Sequence, residues 1–478
     1  MTTTVGASAR PKTDPHTPVS QTWFAAFWRW HFFASFLVIP VLAVLATTGL
    51  IYLFRFQLEP ALHPDVMRIP APAAGQSMVS YDDQLEIVQD ALTADKRDGA
   101  AVVMMTEPLT PATPTRFTVT LPDESTRDYF VDPYRLEVLG SLDPDRTLSG
   151  AAVLLHGELM TGAPGAYVME LGACWAIVMA LTGYYLFVRG WRARIRALRQ
   201  GRAGAPVRQT HALVGAVAGL ALVGLLVSGL PWTELWGSKT QQLATANGTS
   251  FWSDDHGALS EPGSPLDESL PHSHANKVPW GLGANERPTS NLNGYTGPMA
   301  NLDTAVVVAA RAGLTRPYTV VLPEGAEGVF SVIAYAFNSP TREQTLHVDR
   351  YGGQVVSAYG YEQYTALAKT VSHGIALHEG RHLGVVNMIA SALMCLGILF
   401  LCVTGPLMWW RRHPRGDARL GAPRAKMPLR ATPLLAVGVV ALGIFLPLFG
   451  ASLLLVLLAD RFLLRRVPAL RRLFDVKA

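Results

Sequence analysis

The sequence is poor in charge and in cysteine for a chain of its length. Charged residues make up only 16% of the 478 residues, whereas 49% are hydrophobic, a balance that indicates a membrane protein with sizeable soluble parts. All three cysteines, Cys174, Cys395 and Cys402, lie inside apolar stretches. They therefore offer neither a disulfide framework for an exported domain nor a CxxC motif for a metal or redox site.

Several motifs of well-known chemistry are also absent. The sequence contains no CxxCH, so a haem would be held by its axial ligands and not by thioether bonds. No glycine-rich dinucleotide fingerprint follows a strand, and no P-loop motif occurs. The net charge of +4 is small, so nucleic acid is not an expected partner.

Long apolar stretches dominate the rest of the chain. A helix needs roughly 20 apolar residues to cross the hydrocarbon core, and we predict membrane helices over 23–56, 166–188, 210–230 and 383–410. A fifth apolar stretch, 432–460, is interrupted near its middle by Pro447 and Gly450. It is interpreted as one helix or as a hairpin of two short helices.

Basic loops set the expected orientation. Residues 189–208 hold seven arginines and no acidic residue, and residues 411–430 hold seven basic residues. The positive-inside rule makes both loops cytoplasmic and places the longer soluble segments outside. A single crossing by 432–460 would put the basic tail 461–478 outside, so this rule favours the hairpin.

Two soluble segments, 57–160 and 231–380, share one pattern. The first has helical spacing over 81–93, followed by strands predicted at 101–106, 116–121 and 127–131. The second repeats this pattern over 302–360, after an irregular insertion at 251–297 that is rich in glycine, proline, serine and asparagine. The sequence predicts two α+β modules, and the polar residues 1–22 are expected to form a disordered cytoplasmic tail.

The chain contains an internal duplication. His31 precedes Thr48-Gly49 by 17 positions, and His211 precedes Ser228-Gly229 by the same 17. His156 precedes Thr182-Gly183 by 26 positions, and His378 precedes Thr404-Gly405 by 26. The segment YFVDPYRLEVLGSL from Tyr129 likewise matches LHVDRYGGQVVSAY from Leu346. The small residues of the TG and SG pairs are interpreted as positions where membrane helices approach closely.

Of the 13 histidines, the duplication pairs only His31, His156, His211 and His378. His31 and His211 lie at the inner ends of their helices, and His156 and His378 lie at the outer ends, giving one pair at each membrane face. Imidazole is a good axial ligand for haem iron, and a redox protein needs carriers near both faces. We predict that these four histidines hold haem; the alternative is that they only tolerate the headgroup region.

Other ionisable residues are weaker candidates. His373 and His382 have Ala151 and Met160 as first-copy counterparts, and they are candidates for a ligand, a proton path or a substrate contact. Glu170 lies in the outer half of a membrane helix, where a carboxylate marks a proton or ion path or is simply solvated.

Two metal-binding alternatives remain. The stretch HEGRH from His378 satisfies H-E-x-x-H and would make a zinc protease of His378, Glu379 and His382. Against this, Gly380 and Gly384 weaken the helix that such a motif needs. Histidines 256, 272 and 274 of the irregular insertion could bind a metal, or they are solvated loop residues.

Three stretches resemble the PepSY-associated transmembrane family of bacterial iron-regulated inner-membrane proteins: LHGELMTGAPGAYVMELGACWAIVMALTGYYLF, THALVGAVAGLALVGLLVSGLPWTELWG and ALHEGRHLGVVNMIASALMCLGILFLCVTGPLMWWRR. The VDPY and VDRY segments resemble the ends of PepSY modules. The resemblance implies a four-helix membrane bundle with two periplasmic PepSY-like modules. It also implies two b-type haems, and the matching positions are His31, His156, His211 and His378.

The function expected from this resemblance is reduction of a ferric siderophore or other ferric chelate in the periplasm. Electrons would pass through two haems of a bacterial inner-membrane protein, from membrane quinol or from a redox protein. No catalytic residue is assigned. The alternative is a haem-free accessory protein whose PepSY modules bind a peptide, a protease or a transporter.

Overall fold

The computed structural model describes residues 19–246, 288–292, 294–334, 339–413, 419–421 and 433–474. The expected disordered tail, histidines 256, 272 and 274 and most of the loop 411–430 lie largely or wholly outside the described residues.

The elements follow the duplicated order. The first copy contains α1 (Val19–Leu53), α2 (Arg55–Leu62), α3 (Pro64–Met67), α4 (Tyr81–Ala94), β1 (Ala101–Thr106), β2 (Thr115–Thr120), β3 (Thr126–Asp132), β4 (Glu137–Leu142), α5 (Leu148–Glu158) and α6 (Ala163–Arg199). The second contains α7 (Ala205–Gly229), α8 (Trp236–Ala246), α9 (Leu302–Arg311), β5 (Tyr318–Val321), β6 (Val329–Ala334), β7 (Gln344–Asp349), β8 (Val355–Gly360), α10 (Ala366–His378) and α11 (Val385–Arg412). The chain ends with α12 (Pro433–Phe445), α13 (Pro447–Ala459) and α14 (Pro468–Leu473).

Among the described residues, five helical stretches are long and apolar enough to cross a membrane: Trp23–Leu53, Ala163–Arg199, Ala205–Trp232, Val385–Arg412 and Pro447–Leu464. Pro40 lies inside α1 and Pro406 inside α11. Proline is tolerated in membrane helices because neighbouring groups satisfy the freed backbone. These stretches confirm the predicted helical membrane part.

The chain divides into two compact units, each described by itself. The first, the helical unit, comprises Met1–Ala43, Leu171–Val223 and Gly397–Ala478. The second, the sheet unit, comprises Val44–Glu170 and Gly224–Leu396. Each of the helices α1, α6, α7 and α11 contributes residues to both units.

The eight strands that the structure describes form one antiparallel sheet with the order β4-β3-β2-β1-β5-β6-β7-β8. The two copies meet where β1 pairs with β5, with Met104 opposite Val321 and Thr106 opposite Thr319. The helices α4 and α9 share one apolar core with both halves of the sheet, including Val88, Phe117 and Leu346. The predicted α+β fold is confirmed, and the strands of the two expected modules form a single sheet.

The two halves of the sheet repeat each other in detail. Asp132 accepts hydrogen bonds from the backbone of Tyr134 at 2.9 Å and of Arg135 at 3.1 Å, which closes the turn between β3 and β4. Asp349 accepts from Tyr351 at 3.0 Å and from the next residue at 2.9 Å, closing the turn between β7 and β8. The register also shifts at matching positions, after residues 130 and 347. The structure thus agrees with the duplication seen in the sequence.

The N-termini of α4 and α9 cap each other. The carboxylate of Asp303 accepts from the backbone N–H groups of Tyr81 and Asp82, both at 3.0 Å. In return, Asp82 accepts from the N–H of Leu302 at 3.2 Å. Each exchange satisfies N–H groups that a helix start leaves without an internal partner.

The C-terminal apolar stretch is a helical hairpin. The helices α12 and α13 are separated by Leu446, which is completely buried. A side chain on Gly450 would collide with the backbone of Gly443, although seven residues would span about 10 Å along a straight helix. The chain therefore reverses its direction between α12 and α13.

The end of the hairpin returns to the ends of other membrane helices in the helical unit. Arg29, near the start of α1, donates to the carbonyl of Phe474 at 2.9 Å. Leu420 donates to the carbonyl of Leu473 at 3.0 Å, and Trp409 of α11 donates to Leu420 at 2.9 Å. The tail therefore lies beside the start of α1 and the end of α11.

Candidate functional site

The first copy holds its two histidines by a reciprocal exchange between α1 and the α5–α6 segment. Nδ1 of His31, on α1, lies 3.0 Å from the carbonyl of Met179 and 3.4 Å from the hydroxyl of Thr182, both on α6. Nδ1 of His156, on α5, lies 2.8 Å from the hydroxyl of Thr48 on α1. Each of the two segments therefore carries one histidine. It also supplies the hydroxyl or carbonyl group, here called the brace, that binds Nδ1 of the histidine on the other segment.

The second copy repeats the exchange between α7 and the α10–α11 segment. Nδ1 of His211 lies 2.7 Å from the hydroxyl of Thr404 on α11. Nδ1 of His378 lies 3.0 Å from the carbonyl of Leu225 and 3.2 Å from the hydroxyl of Ser228, both on α7. The duplicated spacings of the sequence thus correspond to duplicated contacts.

These contacts fix the tautomer of each imidazole. The brace hydroxyls donate their protons to carbonyls of their own helices: Thr48 to Val44, Thr182 to Val178, Ser228 to Leu225 and Thr404 to Phe400. The hydroxyl oxygen is then left to accept, so the hydrogen-bond network assigns the ring proton to Nδ1. Nε2 keeps its lone pair, which is the state in which a histidine binds a metal.

The glycine beside each brace hydroxyl lies under the histidine ring. A Cβ on Gly183 would lie 3.1 Å from Cε1 of His31, and a Cβ on Gly229 would lie 3.2 Å from Cε1 of His378. The corresponding distances are 4.0 Å for Gly49 to His156 and for Gly405 to His211. From the sequence alone, we interpreted the Thr-Gly and Ser-Gly pairs only as positions where helices approach closely. That interpretation was incomplete, because the glycines also leave space for the histidine rings.

His156 of the first copy and His378 of the second lie next to each other in the sheet unit. The rings of His156 and His378 lie 6.3 Å apart between centroids at an interplanar angle of 81°. Two imidazoles on opposite sides of one iron, with bonds of about 2.0 Å and ring radii of about 1.2 Å, would have centroids about 6.4 Å apart. The separation of the two rings would therefore allow both side chains to hold one haem. The ring centroids of Trp232 and His378 lie 5.7 Å apart, at an interplanar angle of 85°.

The other two histidines belong to the helical unit. His31 comes from the first copy and His211 from the second. With their Nδ1 atoms engaged by Met179 and Thr404, both keep Nε2 for a ligand. Like His156 and His378, these two residues therefore offer two imidazole nitrogens to a metal.

Glu170 has a structural contact. It is buried, and its two carboxylate oxygens accept from the N–H groups of Leu235 at 2.8 Å and Trp236 at 3.0 Å. The carboxylate therefore satisfies backbone groups at the start of α8. Both oxygens are engaged there.

His373 and His382 lie next to each other. Their ring centroids are 4.8 Å apart, and Nε2 of His373 lies 2.8 Å from the hydroxyl of Tyr361. Burial, with the neighbouring His373 and Arg381, lowers the pKa of His382 below its ordinary value. Sequence reasoning considered these two histidines singly and missed their pairing, which no spacing rule signals.

The H-E-x-x-H alternative does not fit the backbone. The helix α10 ends at His378, and Gly380 has a φ of +74°, so His378 and His382 do not lie one turn apart on a helix face. Glu379 forms an ion pair with Arg381. Among the described residues, no group of three or more His, Cys, Asp or Glu side chains could hold a metal ion. The residues required for a zinc protease are therefore not assembled.

A buried charge network lies on the C-terminal side of α10. Glu343 accepts from Ser372 at 3.0 Å and lies 3.6 Å from Arg381, which is itself only 4% exposed. Burial raises the pKa of Glu343 to about 7, although Arg381 and Ser372 act in the opposite direction. Sequence reasoning did not identify this carboxyl, because its burial depends on long-range packing.

Comparison with known families identifies the family of the chain. The family model described as "PepSY-associated TM region" matches residues 28–412, a span that contains all four braced histidines. The chain belongs to this family. It is a membrane protein, as its apolar helices and this membership indicate. No curated protein matches the sequence.

Proposed function

We propose that this family member is a haem-containing reductase of the bacterial inner membrane. It would pass electrons to a ferric siderophore or another ferric chelate on the periplasmic side. In this proposal the sheet unit faces the periplasm, and the arginine-rich loop 189–208 faces the cytoplasm, following the positive-inside rule.

The observation that carries the proposal is the separation of His156 and His378, with Nδ1 of each ring engaged by a brace. These two side chains would hold one b-type haem, and His31 and His211 would hold a second. A bound haem supplies one-electron transfer at its iron. The residues of the chain orient the imidazoles and keep the ligating nitrogen unprotonated.

The substrate class follows from coordination chemistry. Ferric iron in such chelates is held by hard oxygen donors, and the softer ferrous ion binds them less tightly. Reduction by one electron therefore releases the metal. The electron donor in this proposal is membrane quinol or a redox protein, because the sequence has no nucleotide-binding motif.

The first experiment measures haem in the full-length protein purified from haem-replete cells. We expect a reduced b-type optical spectrum with about two haems per chain. Protein reduced with dithionite should be reoxidised by a ferric hydroxamate chelate, with ferrous iron appearing in a chromogenic trap. Colourless protein with a normal gel-filtration profile would contradict the proposal and favour the haem-free accessory role.

Single substitutions then test the pairing. His156→Ala and His378→Ala should each remove the same haem, and His31→Ala and His211→Ala should each remove the other. The control is His63→Ala, at a histidine of the sheet unit that lies 3.7 Å from Glu59, and this variant should keep both haems. Loss of haem on changing His373 alone would overturn this assignment.

A further inference from the structure

The cluster of Tyr361, His373 and His382 has no role in the proposed haem sites. It lies in the sheet unit, and His373 is on the same helix as His378. The planes of the His373 and His382 rings form an angle of 65°. The ring centroids of Tyr361 and His373 lie 5.6 Å apart, in a T-shaped arrangement. Two imidazoles and a phenol oxygen are thus brought together by residues 9 to 21 positions apart in the chain.

The separation of the two rings distinguishes this pair from His156 and His378. With metal–nitrogen bonds of about 2.1 Å, two imidazoles at right angles around one cation have centroids about 4.7 Å apart, and at a tetrahedral angle about 5.4 Å. The observed 4.8 Å lies in this range. The geometry suits two neighbouring ligands of a small cation, whereas the 6.3 Å pair suits two opposite ligands.

One nitrogen of the cluster is unused. Nδ1 of His382 is buried and has no hydrogen-bond partner among the described residues, and an unsatisfied buried polar atom is costly. A bound cation would satisfy it. The hydroxyl of Tyr361 either donates to His373 or supplies a third ligand atom.

The neighbouring charges permit a cation. Arg381 is a buried positive charge close in sequence to His382, and it forms ion pairs with the carboxylates of Glu343 and Glu379. Lys369 lies over the ring of Tyr361 and donates to the carbonyl of Glu362 at 3.1 Å. Its ammonium group is therefore already engaged by a ring and a carbonyl.

We propose that His373, His382 and Tyr361 form a binding site for a divalent first-row transition-metal cation, completed by water. If the chain reduces ferric chelates, the natural occupant is the ferrous product. Imidazole nitrogen is a better ligand for Fe²⁺ than the hard oxygen donors that hold Fe³⁺ in the chelate. This choice of cation rests on the proposed function, but the site itself does not. The first copy has no counterpart of this site, because Ala151 and Met160 occupy the matching positions.

The test uses the full-length purified protein and Co²⁺ as the probe. Equilibrium dialysis followed by elemental analysis should show about one Co²⁺ per chain, displaced by a large excess of Fe²⁺ under anaerobic conditions. His373→Ala and His382→Met, which introduce the first-copy residues, should each weaken binding by at least about tenfold. The control His63→Ala should bind as the wild type does.

A second measurement needs no variant. Cu²⁺ bound to the wild-type protein should give an EPR spectrum with nitrogen couplings from two imidazoles. Failure of the wild type to bind Co²⁺, or binding that both variants retain, would overturn the inference. Two haems with no Co²⁺ site would leave the reductase proposal standing, whereas a Co²⁺ site in colourless protein would support the cation site and contradict the reductase.

Discussion

Each of the four candidate haem ligands depends on a hydroxyl or carbonyl from another helix. The hydroxyl of Thr48 donates to its own helix and accepts from His156, so one small side chain sets the tautomer of a distant ring. The sequence predicted all four histidines from repeated spacings. It could not predict the braces, because His31 is held by residues about 150 positions away, and the spacing along one helix does not show which helix is its neighbour.

The glycines beside the braces give a matched set of substitutions. Gly183→Ala and Gly229→Ala would place a methyl group 3.1 and 3.2 Å from an imidazole carbon, so the ring must shift. We expect both variants to bind haem at least about tenfold more weakly. Gly49→Ala and Gly405→Ala meet the corresponding ring at 4.0 Å and should bind normally. Haem per chain after dialysis against apomyoglobin separates the two groups.

The pH dependence of stability should report on Glu343. Its pKa is raised to about 7 in the folded protein from an ordinary value of 4.5, so the unfolded chain loses this proton first as pH rises. This carboxyl therefore makes the fold less stable as pH increases from about 4.5 to about 7, by an amount of order 3 kcal/mol.

Thermal unfolding in detergent at pH 5 and pH 7.5 measures this effect. Glu343→Gln should lose much less stability between the two pH values than the wild type loses. Glu137→Gln, on the exposed side of β4, is the control and should behave as the wild type. An unchanged difference in Glu343→Gln would show that another group carries the pH dependence.

At the scale of elements, the central pairing of β1 with β5 joins segments that the sequence suggested as two modules. Alternating apolar residues predicted a helix and strands in each segment, and α4 lies within one residue of the prediction. The pairing of β1 with β5 could not be predicted, because the residues of a short strand such as Tyr318–Val321 do not show which strand pairs with it.

A double cysteine substitution tests this joint. Thr106 and Thr319 lie opposite each other with their hydroxyl oxygens 3.5 Å apart, so Thr106→Cys with Thr319→Cys should form a disulfide on mild oxidation. After cleavage at a protease site inserted in the loop after Gly201, the halves should stay joined until reduction. Thr106→Cys with Ser357→Cys, placed about 19 Å apart across four strand spacings, should not cross-link.

At the scale of the whole molecule, the sequence predicted the family and the membrane helices, since long apolar runs and positive loops act through the bilayer and not through specific neighbours. The hairpin was the less certain part. Composition favoured it, but its turn depends on the close contact of Gly443 with Gly450 and on the burial of Phe449.

The hairpin fixes where the C-terminus emerges. Because Phe474 contacts Arg29 and Leu473 contacts Leu420, reporters fused after residue 474 and within the loop 189–208 should lie on the same side of the membrane. We expect green fluorescent protein to fluoresce at both sites and alkaline phosphatase to be inactive at both. Active phosphatase at the C-terminus alone would mean that residues 433–464 cross once.

The reciprocal bracing also bears on how such a chain could arise. Each candidate haem site takes one histidine from each copy, and the sheet joins β1 of one copy to β5 of the other. A half-length ancestor would have completed these sites only as a symmetric homodimer. Fusion of two such copies would have freed the halves to diverge, which would allow His373 and His382 in the second half where the first half has Ala151 and Met160. A symmetric dimer could not have confined such a change to one side.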